Sequence, residues 1–171
     1  MASSKEIAPV AQLSALAPVT RDGLVIARSD KAKHPRIEAI PFQEAAAKMA
    51  AIVMQSLLYR GQRTDGVNVE YIASALVQEI VQEPSLGLRY LTFDEIRYAI
   101  RKAVLYEDVF VCVSSLFRAV VAYAKSEGTE IQKEVNEAVR KDDIHALKAS
   151  THNTMISAYT GAMLNRNNKS K

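Results

Sequence analysis

The chain has 171 residues, of which 49% are apolar and 24% charged; this supplies a globular core and excludes a wholly disordered polymer. One cysteine, Cys112, excludes an internal disulfide and points to a reducing, cytoplasmic setting. The net charge of +3 is mildly basic, and no apolar stretch, such as that around Ala50 to Leu58, nears the ~20 residues that span a bilayer.

Residues 1–41 carry Pro9, Pro18, Pro35 and Pro41 among scattered charges, a spacing that predicts an extended or partly disordered arm and no secretory leader. Within it, the alternation from Gly23 to Arg28 fits one short strand. From Pro41 the pattern turns helical: Phe42, Ala46, Met49, Ile52, Val53, Ser56 and Leu57 follow steps of three and four, and Gly61 closes the segment. Asp65-Gly66 marks a turn before a second stripe of Val69, Ile72, Ala73, Leu76, Ile80 and Val81, which Pro84 ends.

Thr92 and Glu95 form a Thr-x-x-Glu capping box, the clearest helix start in the chain. Phe93, Ile96, Ile100, Ala103 and Val104 share one face of this third helix, leaving Arg97, Arg101 and Lys102 on a basic outer side. The run Val109 to Val113 fits either a strand or the buried start of a helix. Ser114 or Ser115 then caps a fourth helix with Leu116, Phe117, Val120, Val121 and Ala124, ending at Gly128. Ile131, Val135, Ala138 and Val139 continue at helical steps, Asp142-Asp143 restarts the chain before Ile144 and Leu147, and Met155, Ile156, Tyr159, Ala162 and Met163 form a last stripe. Residues 165–171 make a flexible basic tail. The expectation is an all-α protein: an arm over 1–41, a compact helical bundle over 42–164, and the tail.

Bond-making chemistry finds little footing in these letters. The phosphate cradle, the dinucleotide glycines, the nucleophile elbow and the His-Glu-x-x-His zinc motif are missing, which disfavours enzymes of those kinds. Cys112 sits among valines, a setting that predicts an inert core thiol with a raised pKa. His145 and His152, seven apart beside Asp142 and Asp143, resemble a loose metal cluster but fit surface residues near a helix cap better, because first-row metals need three or four converging ligands. Neither metal nor cofactor is expected. The basic residues offer more: Arg89, Arg97, Arg101, Lys102, Arg118 and Lys125 fall on or beside the third and fourth helices, where clustered cations attract phosphates. With acids interleaved throughout, the same residues also fit an ordinary solvated face.

The stretch Thr92 to Tyr106, followed by Val113 to Tyr123, resembles the C-terminal module of DnaD-like replication initiation and helicase-loader proteins, in which a helix of the type x-E-x-I-x-x-A-I-x-x-A-V leads into a second helix ending in an aromatic. It is also similar to small helical proteins of unknown function encoded by phages and mobile elements. The match covers about a fifth of the chain and carries over at Ile96, Ala99, Ile100, Ala103 and Val104, all packing positions; the family's tryptophan has no counterpart here. The resemblance implies a non-enzymatic accessory protein in DNA replication that binds nucleic acid or a replication protein, with homo-oligomerisation open and no membrane partner. A second expectation is a structural or assembly protein, for example a virion component, whose helical domain oligomerises while the arm wraps a neighbour.

Overall fold

The computed structural model describes the backbone of residues 18–168 and the side chains of residues 18–154. Expectations for residues 1–17, for the side chains of the Met155–Met163 stripe and for residues 169–171 lie outside this range. The protein is all-α: α1 (Arg21–Ser29), α2 (Phe42–Tyr59), α3 (Val69–Gln82), α4 (Phe93–Tyr106), α5 (Val113–Lys125) and α6 (Glu127–Asn168). Among the described residues the only β-type pairing is an isolated bridge between Arg36 and Thr92.

The strand expected over Gly23–Arg28 is instead helix α1. Thr20 accepts a hydrogen bond from the Gly23 amide at 3.2 Å, Asp22 stands in the first turn and Arg28 in the last, so cap and dipole complement each other. Leu24 and Ala27 are buried three residues apart, and this burial outweighs the strand preference of Val25 and Ile26. The described part of the expected arm is therefore packed. A 310 turn follows at Ile37–Ala39, and the buried Ile37 donates its amide to the Leu91 carbonyl at 2.9 Å, stitching this segment to the approach of α4.

Helix α2 buries Ala45, Met49, Ile52, Val53, Ser56 and Leu57; its stripe begins at Ala45, and Phe42 is exposed. Ser56 satisfies its buried hydroxyl by donating to the Ile52 carbonyl at 2.8 Å. Asn68 caps α3, accepting from the Tyr71 amide at 2.9 Å, and Ala73, Leu76, Val77 and Ile80 face inward. The Thr92–Glu95 box is formed in both directions, and Ile96, Ala99, Ile100, Ala103 and Val104 are all buried. Helix α2 packs on α3, α4 on α5, α2 on α4 and α3 on α5. Lys48 over the Phe93 ring and Arg101 over the Tyr59 ring place the starts of α2 and α4 together and likewise their ends.

Three boundaries differ from the sequence pattern. Val109–Val113 is neither strand nor buried helix start: Val111 is buried in a loop, and α5 begins at Val113 with Cys112, not Ser114 or Ser115, in the N-cap position. The fourth helix ends at Lys125, and Gly128 lies inside α6, where an added Cβ would stand 3.3 Å from the Tyr123 carbonyl oxygen; close approach, not a helix stop, explains this glycine. Asp142-Asp143 restarts nothing, because α6 runs unbroken for 42 residues, through residues 165–168 of the expected tail. The chain divides into two units, residues 1–132 and residues 133–171. The first holds the helical core and takes in α1, upstream of the expected boundary at residue 42. The second is the remainder of α6, exposed at every residue from 136 to 154.

Candidate functional site

The six cations singled out in the sequence meet different fates. Arg97 is nearly buried, with 12% of its side chain exposed, and pairs with Asp94 at 2.8 Å. Burial pushes the Arg97 guanidinium below its ordinary pKa, with the Arg101 charge acting the same way and Asp94 opposing both. The same Asp94 holds His34 at 3.0 Å. Lys102 pairs with Glu127, whose hydrogen bond raises the Lys102 pKa against burial. Burial works to raise Glu127, but the hydrogen bonds from Lys102 and Tyr98 and the charges of Lys102 and Arg21 outweigh it and hold the carboxyl low. Arg89 donates to the Tyr90 hydroxyl at 2.6 Å, lies over that ring and stands 3.7 Å from Glu38.

Among the described residues no carboxylate pairs with Arg101, Arg118 or Lys125. Arg118 donates to the Ser114 carbonyl at 3.2 Å, and Lys125 is exposed in the last turn of α5, two turns along the same face. Arg101 lies with its guanidinium 5.5 Å from the centre of the Tyr59 ring, and Tyr59 in turn accepts from the Gln55 amide at 2.9 Å. Of the six cations, three are thus engaged by neighbouring acids, and the other three lie on two helices, Arg101 on α4 and Arg118 and Lys125 on α5.

The ends of α2 and α4 are joined by Arg101 over the Tyr59 ring and by the Arg60–Asp108 ion pair, and they carry exposed apolar side chains that the sequence stripes did not single out. Leu58 and Tyr59 end α2, Arg101, Leu105 and Tyr106 occupy the last two turns of α4, and Phe110 follows in the loop. Tyr106 is 81% exposed and Phe110 68%. An ion pair between Arg60 and Asp108 fastens the α4–α5 loop to the end of α2. Asp108 takes a left-handed backbone, φ 55°, which Asp tolerates better than most residues. Ser115 donates to the Phe110 carbonyl, fixing the loop from the other side. The patch is near neutral, Arg60 and Arg101 balancing Glu107 and Asp108. Its signal in the sequence is a surplus: Leu57-Leu58-Tyr59 and Val104-Leu105-Tyr106 each place three apolar residues in a row, and here each helix buries only the first of its three.

Glu95, read as a cap alone, is also the centre of a buried polar cluster. Its Oε2 accepts from the Thr92 amide at 2.8 Å and from the Thr92 hydroxyl at 3.2 Å, and its Oε1 accepts from the Tyr123 hydroxyl at 3.1 Å and meets Arg28 at 3.2 Å. Arg28 also donates to the Gly128 carbonyl at 2.6 Å. Burial, then the charge of Glu95 and its hydrogen bond, push the Tyr123 phenol far above its ordinary value. Every member has a partner and the carboxylate is fully buried, so the cluster ties α1, α4, α5 and the start of α6 together.

The expected inert thiol is corrected too. Cys112 is half-buried, and the Ser114 and Ser115 hydroxyls, 3.3 and 3.2 Å from its sulfur, lower its pKa to about 7 despite the opposing effect of burial. His145 and His152 are exposed on α6; no group of three or more metal-ligating side chains occurs among the described residues, and no helix among them is long and apolar enough to cross a membrane. Comparison with protein-family models, with curated proteins and with solved structures gave no match.

Proposed function

We propose that this is a non-enzymatic accessory protein that works by binding a protein partner at the Tyr59–Arg101–Phe110 end of the bundle. A replication protein is the partner class that the DnaD-like resemblance implies, and a reducing cytoplasm suits the single thiol. The observation that carries this reading is the exposure of Leu105, Tyr106 and Phe110 at and just after the end of α4, the helix whose Arg101 lies over the Tyr59 ring. Aromatic and arginine side chains dominate the energetics of protein interfaces, and a cluster of exposed apolar side chains marks an interaction surface. The near balance of charge favours protein over phosphate, since phosphate binding needs unpaired cations along a track.

A photo-crosslinking side chain at position 106, used in cells that make the protein, tests this. The expected result is a discrete protein adduct that Arg101→Glu removes; a nucleic-acid adduct, or no adduct, would overturn the reading. The second reading, nucleic-acid binding, is favoured by Arg101, Arg118 and Lys125 having no carboxylate partner among the described residues. It requires oligonucleotide retention that falls steeply with salt and is lost in Arg101→Glu with Arg118→Glu.

A further inference from the structure

Helix α6 is 42 residues long, about 63 Å at 1.5 Å per residue. From residue 136 to residue 154 every position is exposed, including Leu147 at 71% and Ile144 at 44%. An isolated helix carrying Asp142, Asp143, Thr151, Asn153 and Thr154 draws little support from intrinsic propensity, and most helical stability in proteins comes from packing one face against something else. Arg140, Asp143, Ile144 and Leu147 stand at i, i+3, i+4 and i+7, the spacing by which a helix presents one edge to a groove. That edge offers two apolar side chains flanked by a carboxylate and a guanidinium.

The patch at the ends of α2 and α4 offers the converse. Leu58, Leu105 and Phe110 supply apolar surface, Arg101 is a cation with no carboxylate partner among the described residues, and Glu107 is an exposed acid at the rim. The stacking of Arg101 on Tyr59 holds its guanidinium ready for a carboxylate. Both surfaces are exposed within a single chain.

We infer that the partner bound at this patch is a second copy of the chain, whose α6 lays its Asp143–Ile144–Leu147 edge on the Leu58–Leu105–Phe110 surface, with Asp143 meeting Arg101 and Arg140 meeting Glu107. The inference rests on the reading of the patch as a protein-binding site and names its occupant. Because each copy gives one surface and receives on another, the contact closes into a two-fold dimer where both copies exchange α6 at once, and otherwise propagates head-to-tail into rings or open chains.

Two variants separate the halves of the contact. Arg101→Glu disables the patch and leaves α6 intact; Leu147→Glu, at an exposed helical position, disables α6 and leaves the patch intact. Light scattering on the wild type is expected to give a mass that rises with concentration above 18.8 kDa. Each variant alone is expected to weaken association by at least ~10-fold, with an unchanged circular dichroism spectrum and melting temperature. Mixed one to one, the two variants have one live patch and one live α6 between them, and the expected species is a dimer of twice 18.8 kDa that grows no further.

A wild type that stays monomeric at every concentration, either variant associating like the wild type, or a mixture that stays monomeric would overturn the inference. If the wild type is monomeric while position 106 still crosslinks to a different protein, the second copy is excluded and the binding reading stands. If position 106 captures nothing and the chain is monomeric, both fall.

Discussion

Glu95 shows how one side chain can be half legible. Its role in the capping box is local, three residues from Thr92, and could be read directly from Thr-x-x-Glu. Its pairing with Arg28 and Tyr123 joins positions far apart in the chain, and no spacing rule announces it. Truncating Arg28 leaves the carboxylate buried without its cation, so Arg28→Ala is expected to cost about 3–5 kcal/mol of stability, measured by urea unfolding. Cys112 was misread for a related reason: its valine neighbours in sequence suggested desolvation, while the α5 start turns Ser114 and Ser115 towards the sulfur. With its pKa lowered to about 7 by the neighbouring hydroxyls, the thiol is ionised at neutral pH to a far greater extent than a free cysteine. Alkylation by iodoacetamide should therefore be half-maximal at about pH 7 and fall as the pH drops. Ser114→Ala should move that midpoint upward, because the hydroxyl that contributes most to favouring the thiolate is gone.

At the scale of elements, capping and burial together decided what propensity left open. Helix α4 was legible from both its cap and its stripe, and Thr92→Ala is expected to lower stability by about 1 kcal/mol, seen as a lower denaturation midpoint. Helix α1 was not legible, because Gly23-Leu-Val-Ile-Ala alternates as a strand does, and only the Thr20 cap and the buried Leu24 and Ala27 select the helix. The continuity of α6 was hidden by Gly128 and by Asp142-Asp143, residues that usually end or begin helices. Here Gly128 is needed for contact with Tyr123, and the aspartates face water. The candidate site was legible only at Arg101. The aromatic residues around it fall off the buried stripes, and a search for cations had no reason to stop at them.

Among the described residues, the unit over residues 1–132 holds nearly all of the buried core, whereas α6 is exposed at every residue from 136 to 154. Hydrogen exchange reads this contrast directly: amides in Ile96–Val104 should be among the slowest to exchange, and those from 136 to 154 among the fastest in dilute solution. The fast group should slow as concentration rises if α6 docks on another copy. The modest net charge, with acids interleaved among the cations, has its structural counterpart at this scale: Asp94, Glu127 and Glu38 pair with Arg97, Lys102 and Arg89.

Arg28 and the carbonyl of Gly128 that it reaches are a hundred positions apart, and this has a consequence for the order of events during synthesis. A ribosome delivers α1 first, yet the carboxylate and the carbonyl that receive its arginine emerge only when most of the protein has been made. The early segment must wait, solvated and unanchored, while α2 and α3 pair behind it. Docking of α1 is therefore a closing step of maturation, and pausing translation before codon 95 should leave a nascent chain in which a protease cuts near Arg28.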